Sequence, residues 1–95
     1  MKILAVCGFG VGSSMLLKMT AEKAVKELDI NAEVENTDLS TAQATPADLY
    51  LTSAELKTEL VHSVNAPVYS VKKFMDKEEV KQCLMDFRTK SNQND

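Results

Sequence analysis

Histidine is nearly missing from this chain. His62 is the only one, and the two cysteines, Cys7 and Cys83, stand far apart with no C-x-x-C or metal-type spacing. Zinc chemistry is excluded for want of ligands, and no metal or cofactor is expected. Tryptophan is absent, and Arg88 is the sole arginine. Basic residues are outnumbered, 11 Lys and Arg against 14 Asp and Glu, which leaves a net charge of −3. A nucleic-acid footprint needs clustered Lys and Arg and a high pI, so nucleic acid is not an expected partner. Long apolar runs are lacking too. The stretch Ile3–Val6 is too short for a signal peptide or a membrane span, and a glycine-rich loop follows it. The expectation is a cytoplasmic protein with reduced thiols.

What is present fits one domain. A chain of 95 residues can bury roughly 60–65% of its unfolded surface around a single core. The expected domain is 1–89, followed by a polar tail, 90–95, that frays. Residues 2–7, KILAVC, read as a strand buried on both faces. From Ser14 to Leu28 the pattern is helical, with Leu17, Ala21, Ala24 and Leu28 in one stripe and Asp29 at its end. Ser13 or Ser14 fits its N-cap. Residues 31–36, NAEVEN, alternate, with Ala32 and Val34 on one side and Glu33 and Glu35 on the other, as an edge strand would. Residues 39–47 allow one short helical turn before Pro46. A third strand is expected at 48–52. Ser53 caps a short helix carrying Leu56 and Leu60, and Pro67 opens a fourth strand, VYSV. Asp76 and Glu79 resemble a capping box before the stripe Val80, Cys83, Leu84 and Phe87. Alternating strands and helices of this kind predict an α/β fold, a parallel sheet with helices on both faces. Such sheets bind ligands at the carboxyl ends of their strands, where Cys7 stands.

All three glycines, Gly8, Gly10 and Gly12, fall between Cys7 and Ser13. They allow a sharp turn whose successive N–H groups point inward as an anion nest. A helix start adds further N–H groups and a positive dipole end, and Ser13 and Ser14 add hydroxyls. The candidate site is therefore Cys7 as nucleophile, with Gly8, Phe9, Gly10, Val11, Gly12, Ser13 and Ser14 as a phosphate cradle. The same field favours the thiolate, which attacks well and also leaves well, as a phosphate relay requires. A Walker A loop is excluded, since no Gly-Lys-Ser/Thr follows, and the spacing is not GxGxxG. A cysteine-dependent phosphatase or reductase is the rival of another class, but its phosphate-clamping arginine would fall at Ser13. A non-catalytic binding domain is the third reading.

Several residues invite a role and are better read otherwise. His62 reads as a solvated helix residue and Cys83 as core packing. Thr52 and Ser53 could reach the phosphate from the next strand end, but Ser53 is more simply a cap. Phe9, Val11 and Met15 fit an apolar rim for docking partners, or inward packing.

At the stretch ILAVCGFGVGSSMLLKMTAEKAVKEL, residues 3–28, the sequence resembles the enzyme IIB components of the bacterial phosphoenolpyruvate-dependent sugar phosphotransferase system. It looks most like the ascorbate type, with the galactitol type next. The resemblance implies a Rossmann-like four-stranded parallel sheet in the order 2-1-3-4. It also implies that Cys7 accepts phosphate from a phosphohistidine of a IIA protein. The phosphate would pass to a sugar-like substrate held by a membrane IIC transporter, with which the chain would associate transiently.

Overall fold

The computed structural model describes residues 1–7 and 11–93, with the backbone alone for 11–13 and 91–93. Four strands, β1 (Lys2–Cys7), β2 (Glu33–Asp38), β3 (Leu49–Thr52) and β4 (Val68–Ser70), form one parallel sheet in the order β2-β1-β3-β4. The helices are α1 (Val11–Glu27), α2 (Leu39–Ala44), α3 (Ala54–Ser63) and α4 (Lys77–Gln93). The expected sheet order and the edge position of the second strand are both observed.

Side chains alternate across the sheet, and each face has its own core. Ile3, Ala5, Val34, Leu49 and Leu51 meet Leu17, Ala21, Ala24 and Val25 of α1 and Val80 and Leu84 of α4. Leu4, Val6 and Tyr50 meet Ala42 of α2 and Leu60 of α3. Strand β1 is buried on both faces from Ile3 to Val6, as its unbroken apolar run requires. Cys83 and Phe87 pack against the first of these cores.

Besides one-residue shifts in β3 and β4, which span 49–52 and 68–70 rather than 48–52 and 68–71, four features differ from the sequence reading. First, α1 begins at Val11, so Ser13 and Ser14 stand in its first turn rather than capping it. Ser14 lies three residues before Leu17 and extends the buried stripe, so it faces the sheet. Second, β2 runs from Glu33 to Asp38 instead of 31–36, because its ladder follows β1 from Lys2↔Glu33 to Cys7↔Asp38. Third, the capping box is only half formed. Asp76 Oδ1 accepts from the N–H groups of Glu78 and Glu79 at 3.0 and 3.2 Å. Glu79 turns away and accepts from the N–H groups of Lys72 and Lys73 at 2.7 and 3.0 Å, clamping the loop after β4. Fourth, α4 continues to Gln93, past residue 89.

With every glycine spent near Cys7, the stop of α1 uses a non-glycine residue. Asp29 takes a φ of 57°, the left-handed region. The Ile30 N–H bonds the Val25 carbonyl at 2.8 Å and the Asp29 N–H bonds the Lys26 carbonyl at 3.2 Å, a Schellman stop. Aspartate tolerates this conformation better than most residues. Val25 and Ile30 close the motif as members of one core.

Candidate functional site

The site is built where β1 hands over to α1. Cys7 is the last residue of β1, the strand between β2 and β3, and it is half-buried. Alternation places it on the face of Ile3 and Ala5, beneath α1. The helix starts only four positions later, so its N-terminal end, with N–H groups that have no acceptor within a helix, opens at the strand end. The positive end of the helix dipole lies there too. Gly8, Phe9 and Gly10 lie outside the described residues. The backbone of Val11, Gly12 and Ser13 belongs to the first turn of α1, while their side chains lie outside the description.

Ser14 is the one cradle residue whose side chain is described, and it is 2% exposed. Its Oγ accepts a hydrogen bond from Asn36 Nδ2 of β2 at 3.2 Å. Asn36 is a neighbour of the candidate site that sequence reasoning missed. The pattern held a clue to it: the inward alternation Ala32, Val34 continues to position 36, where a polar side chain faces a helix. Asp38 is a second omission, the ladder partner of Cys7. Its carboxylate turns to α2 and accepts from the Thr41 N–H at 2.7 Å. That bond, followed by the Thr41 side chain, holds the Asp38 carboxyl below the usual range. The negative charge next to Cys7 is thus committed to the start of α2.

The remaining candidates separate cleanly. Thr52 is fully buried, and its Oγ1 donates to the Val6 carbonyl at 2.9 Å, a structural tie between β3 and β1. Ser53 caps α3, accepting from the Leu56 N–H at 3.4 Å. His62 is exposed on α3. Burial pushes the Cys83 thiol up, and the Glu79 and Asp86 carboxylates add to this, which disfavours its thiolate. Arg88 donates from Nη1 to the Leu28 carbonyl at 3.2 Å, just past the C-terminal end of α1. A helix of 17 residues spans about 25 Å, so this arginine stands at the opposite end of α1 from Cys7. Met15 is exposed, not tucked inward, and Leu16 and Met19 beside it are exposed as well. Among the described residues, no group of three His, Cys, Asp or Glu side chains is placed to hold a metal ion. Among them also, no helix is long and apolar enough to cross a membrane.

Comparison with known proteins agrees with this geometry. The family model described as "PTS system, Lactose/Cellobiose specific IIB subunit" matches residues 2–85. The chain is 37% identical over 84 residues to the "Ascorbate-specific PTS system EIIB component" of Mycoplasma pneumoniae, covering 86% of this chain and 88% of that protein. The lactose-specific IIB component domain of the phosphotransferase system from Streptococcus pneumoniae superposes with a TM-score of 0.72. That match covers 92% of this chain and 96% of the other at 11% identity, a likeness of fold. With its parallel sheet, a cysteine at the end of β1 and a match over nearly its whole length, this chain belongs to the IIB component family of the sugar phosphotransferase system.

Proposed function

We propose that Cys7 carries the phosphoryl group, received from a phosphohistidine of a IIA protein and delivered to a substrate held by a membrane IIC transporter. The observation that carries this reading is the placement of Cys7. It ends a central strand directly before a helix N-terminus, with the Ser14 hydroxyl buried in that first turn. In the first step the Cys7 thiolate attacks phosphorus. The S–P bond forms, the P–N bond breaks, and the imidazole nitrogen of the donor keeps the electron pair. In the second step a substrate hydroxyl oxygen attacks the phosphorus and the S–P bond breaks. The sulfur leaves as thiolate, and the hydroxyl proton passes to a base at the acceptor site. Backbone N–H groups of Gly8 to Ser13 and the Ser14 hydroxyl would hold the phosphoryl oxygens throughout.

The distance of Arg88 from Cys7 supports a carrier over a phosphatase or reductase. Without a guanidinium clamp, water attack on the phosphocysteine gains little stabilisation, and the group survives until a partner accepts it. Exposed Met15 and Leu16 near the start of the same helix, with exposed Met19 one turn further along, support an apolar rim, against which the phosphohistidine donor would seat. L-ascorbate is the proposed substrate, because the ascorbate-specific relative shares 37% identity with this chain; a galactitol-type substrate is the alternative. The chain would work in the cytoplasm and meet the membrane only through its transporter.

The test is intact-mass measurement after incubation with phosphoenolpyruvate, the general phosphotransferase proteins and a cognate IIA. One phosphate adduct is expected on the wild type and none on Cys7→Ala. Equal labelling of both, or release of inorganic phosphate from an aryl phosphate, would refute the carrier reading. Adding membranes that hold the cognate transporter should discharge the adduct onto L-ascorbate but not onto galactitol.

A further inference from the structure

Methionine is most often a filler of cores, yet all five methionines of this chain are exposed. Met19 of α1 and Met75, in the loop before α4, line one groove of about 230 Å3, which Leu16, Thr20, Lys23 and Lys77 complete. Met75 is 75% exposed, but its loop is not loose. Phe74 packs against the core, the Asp76 N–H bonds the Lys73 carbonyl at 2.9 Å, and Glu79 clamps the N–H groups of Lys72 and Lys73. Three anchors thus hold a thioether out in water. Thr20 Oγ1 is turned back to the Leu16 carbonyl at 2.9 Å, so the groove offers apolar surface rather than a free hydroxyl.

The margin of this groove is basic, in a chain whose net charge is −3. No carboxylate lines it. Lys77 is paired with Glu27, but among the described residues no carboxylate pairs with Lys23, nor with Lys72 and Lys73 in the loop of Met75. Small-molecule clefts are about 300–1,000 Å3, so the groove is sized for side chains of another protein. It starts in the second turn of α1, next to Met15. Leu16 lies about 8 Å along the helix axis from Val11, and Lys23 about 18 Å. An interface of about 800 Å2 per partner, roughly 30 Å across, covers both the groove and the helix start. We propose that this groove is the docking seat of the phosphohistidine donor, which places an apolar side chain between Leu16, Met19 and Met75 and carboxylates against Lys23 and the loop lysines. Charge decides between the two partners. Cytoplasmic loops of membrane transporters carry an excess of Lys and Arg, which this margin repels. A phosphorylated donor brings negative charge, and its attraction falls once the phosphoryl group has left it. This inference rests on the reading of Cys7 as the acceptor.

Binding of unphosphorylated cognate IIA is titrated by calorimetry on the wild type, Lys23→Glu, Lys23→Arg, Met75→Ser and Met85→Ser. KM and kcat for transfer from phosphorylated IIA are measured beside it. Lys23→Glu and Met75→Ser should each raise Kd and KM by about three- to tenfold and leave kcat within about twofold. Lys23→Arg keeps the charge, and Met85 is exposed on α4 outside the groove, so Lys23→Arg and Met85→Ser should bind as the wild type does. Wild-type binding should weaken as salt rises from about 0.05 to about 0.5 M, and that of Lys23→Glu should weaken less. Wild-type affinity in Lys23→Glu or in Met75→Ser overturns the proposal, and so does a fall in kcat with KM unchanged. Sedimentation with phosphatidylglycerol vesicles tests the rival occupant. Vesicle binding that Lys23→Glu abolishes while IIA binding is kept assigns the groove to lipid and overturns the proposal too. Urea midpoints show whether each variant is folded, and should Met75→Ser fail to fold, Met19→Ser is read by the same criteria. If Cys7→Ala still takes up phosphate, the carrier reading fails, whereas the binding titration needs no transfer and still decides the groove.

Discussion

Replacing Thr52 by valine keeps the branched shape and removes only a hydroxyl. That hydroxyl belongs to a fully buried residue at the end of β3 and donates to the Val6 carbonyl at 2.9 Å, across 46 positions of sequence. It ties the ends of the two strands just before Cys7, while the Thr52 carbonyl accepts from the Val71 N–H at 2.7 Å. The net worth of a neutral hydrogen bond is about 0.5–1.5 kcal/mol, and a buried carbonyl left short of a donor costs about 1–3 kcal/mol. The extra apolar surface of the new methyl group offsets part of that loss. Thr52→Val should therefore destabilise the domain by about 1–2 kcal/mol. In a domain of this size the melting temperature would fall by about 5–15 °C. The assay is thermal and urea unfolding followed by circular dichroism, with the wild type beside it. Phosphoryl transfer to Cys7, measured well below both midpoints, should change by less than about twofold, because this hydroxyl serves the strand tie and not the phosphate. Unchanged stability would show that the bond contributes nothing net. Unchanged stability with slowed transfer would refute the structural assignment and return Thr52 to the phosphate site.

Two pH experiments follow from other contacts. The Tyr69 hydroxyl donates to Asp86 Oδ2 at 2.7 Å; burial first, and then that bond, push it up to about 12. Its stabilisation is complete below the unfolded value of about 10 and is lost as pH rises from there towards the folded value. The urea midpoint of the wild type should fall faster than that of Tyr69→Phe over this window, and parallel curves would contradict the assignment. Asp38 has a depressed folded value, set first by the Thr41 N–H, so its contribution is present above the ordinary carboxylate range and lost as pH falls through the folded value. Asp38→Ala should lower the urea midpoint at pH 7, with the gap closing in acid, whereas Asp38→Asn should keep most of the neutral-pH stability because it still caps α2.

Much of the site could be read in the sequence because its grammar is local. A strand buried on both faces, glycines that permit a turn, and a helical stripe each depend on residues within a few positions of one another. Cys7 at a strand end before a helix was legible for that reason, as were the edge strand, the Ser53 cap and the apolar stripe of α4. The start of α1 was misplaced because Ser13 and Ser14 look like caps to any local rule. Only the packing of Ser14 in line with Leu17 shows that it lies inside the helix.

Asn36 and Asp38 illustrate what lay beyond that grammar. Their residue types mark a turn as readily as a strand, and β2 continues through them because β1 supplies a ladder partner for each. The sequence by itself determined the alternation of strands and helices, the place of Cys7 at the end of the first strand, and the distance in the chain between Cys7 and the sole arginine. Only the tertiary structure decided that Asn36 reaches Ser14 over 22 positions, that Glu79 clamps Lys72 and Lys73, and that Arg88 closes the far end of α1. Periodicity records which face of an element is buried, whereas a hydrogen bond between elements depends on how two faces are brought into register.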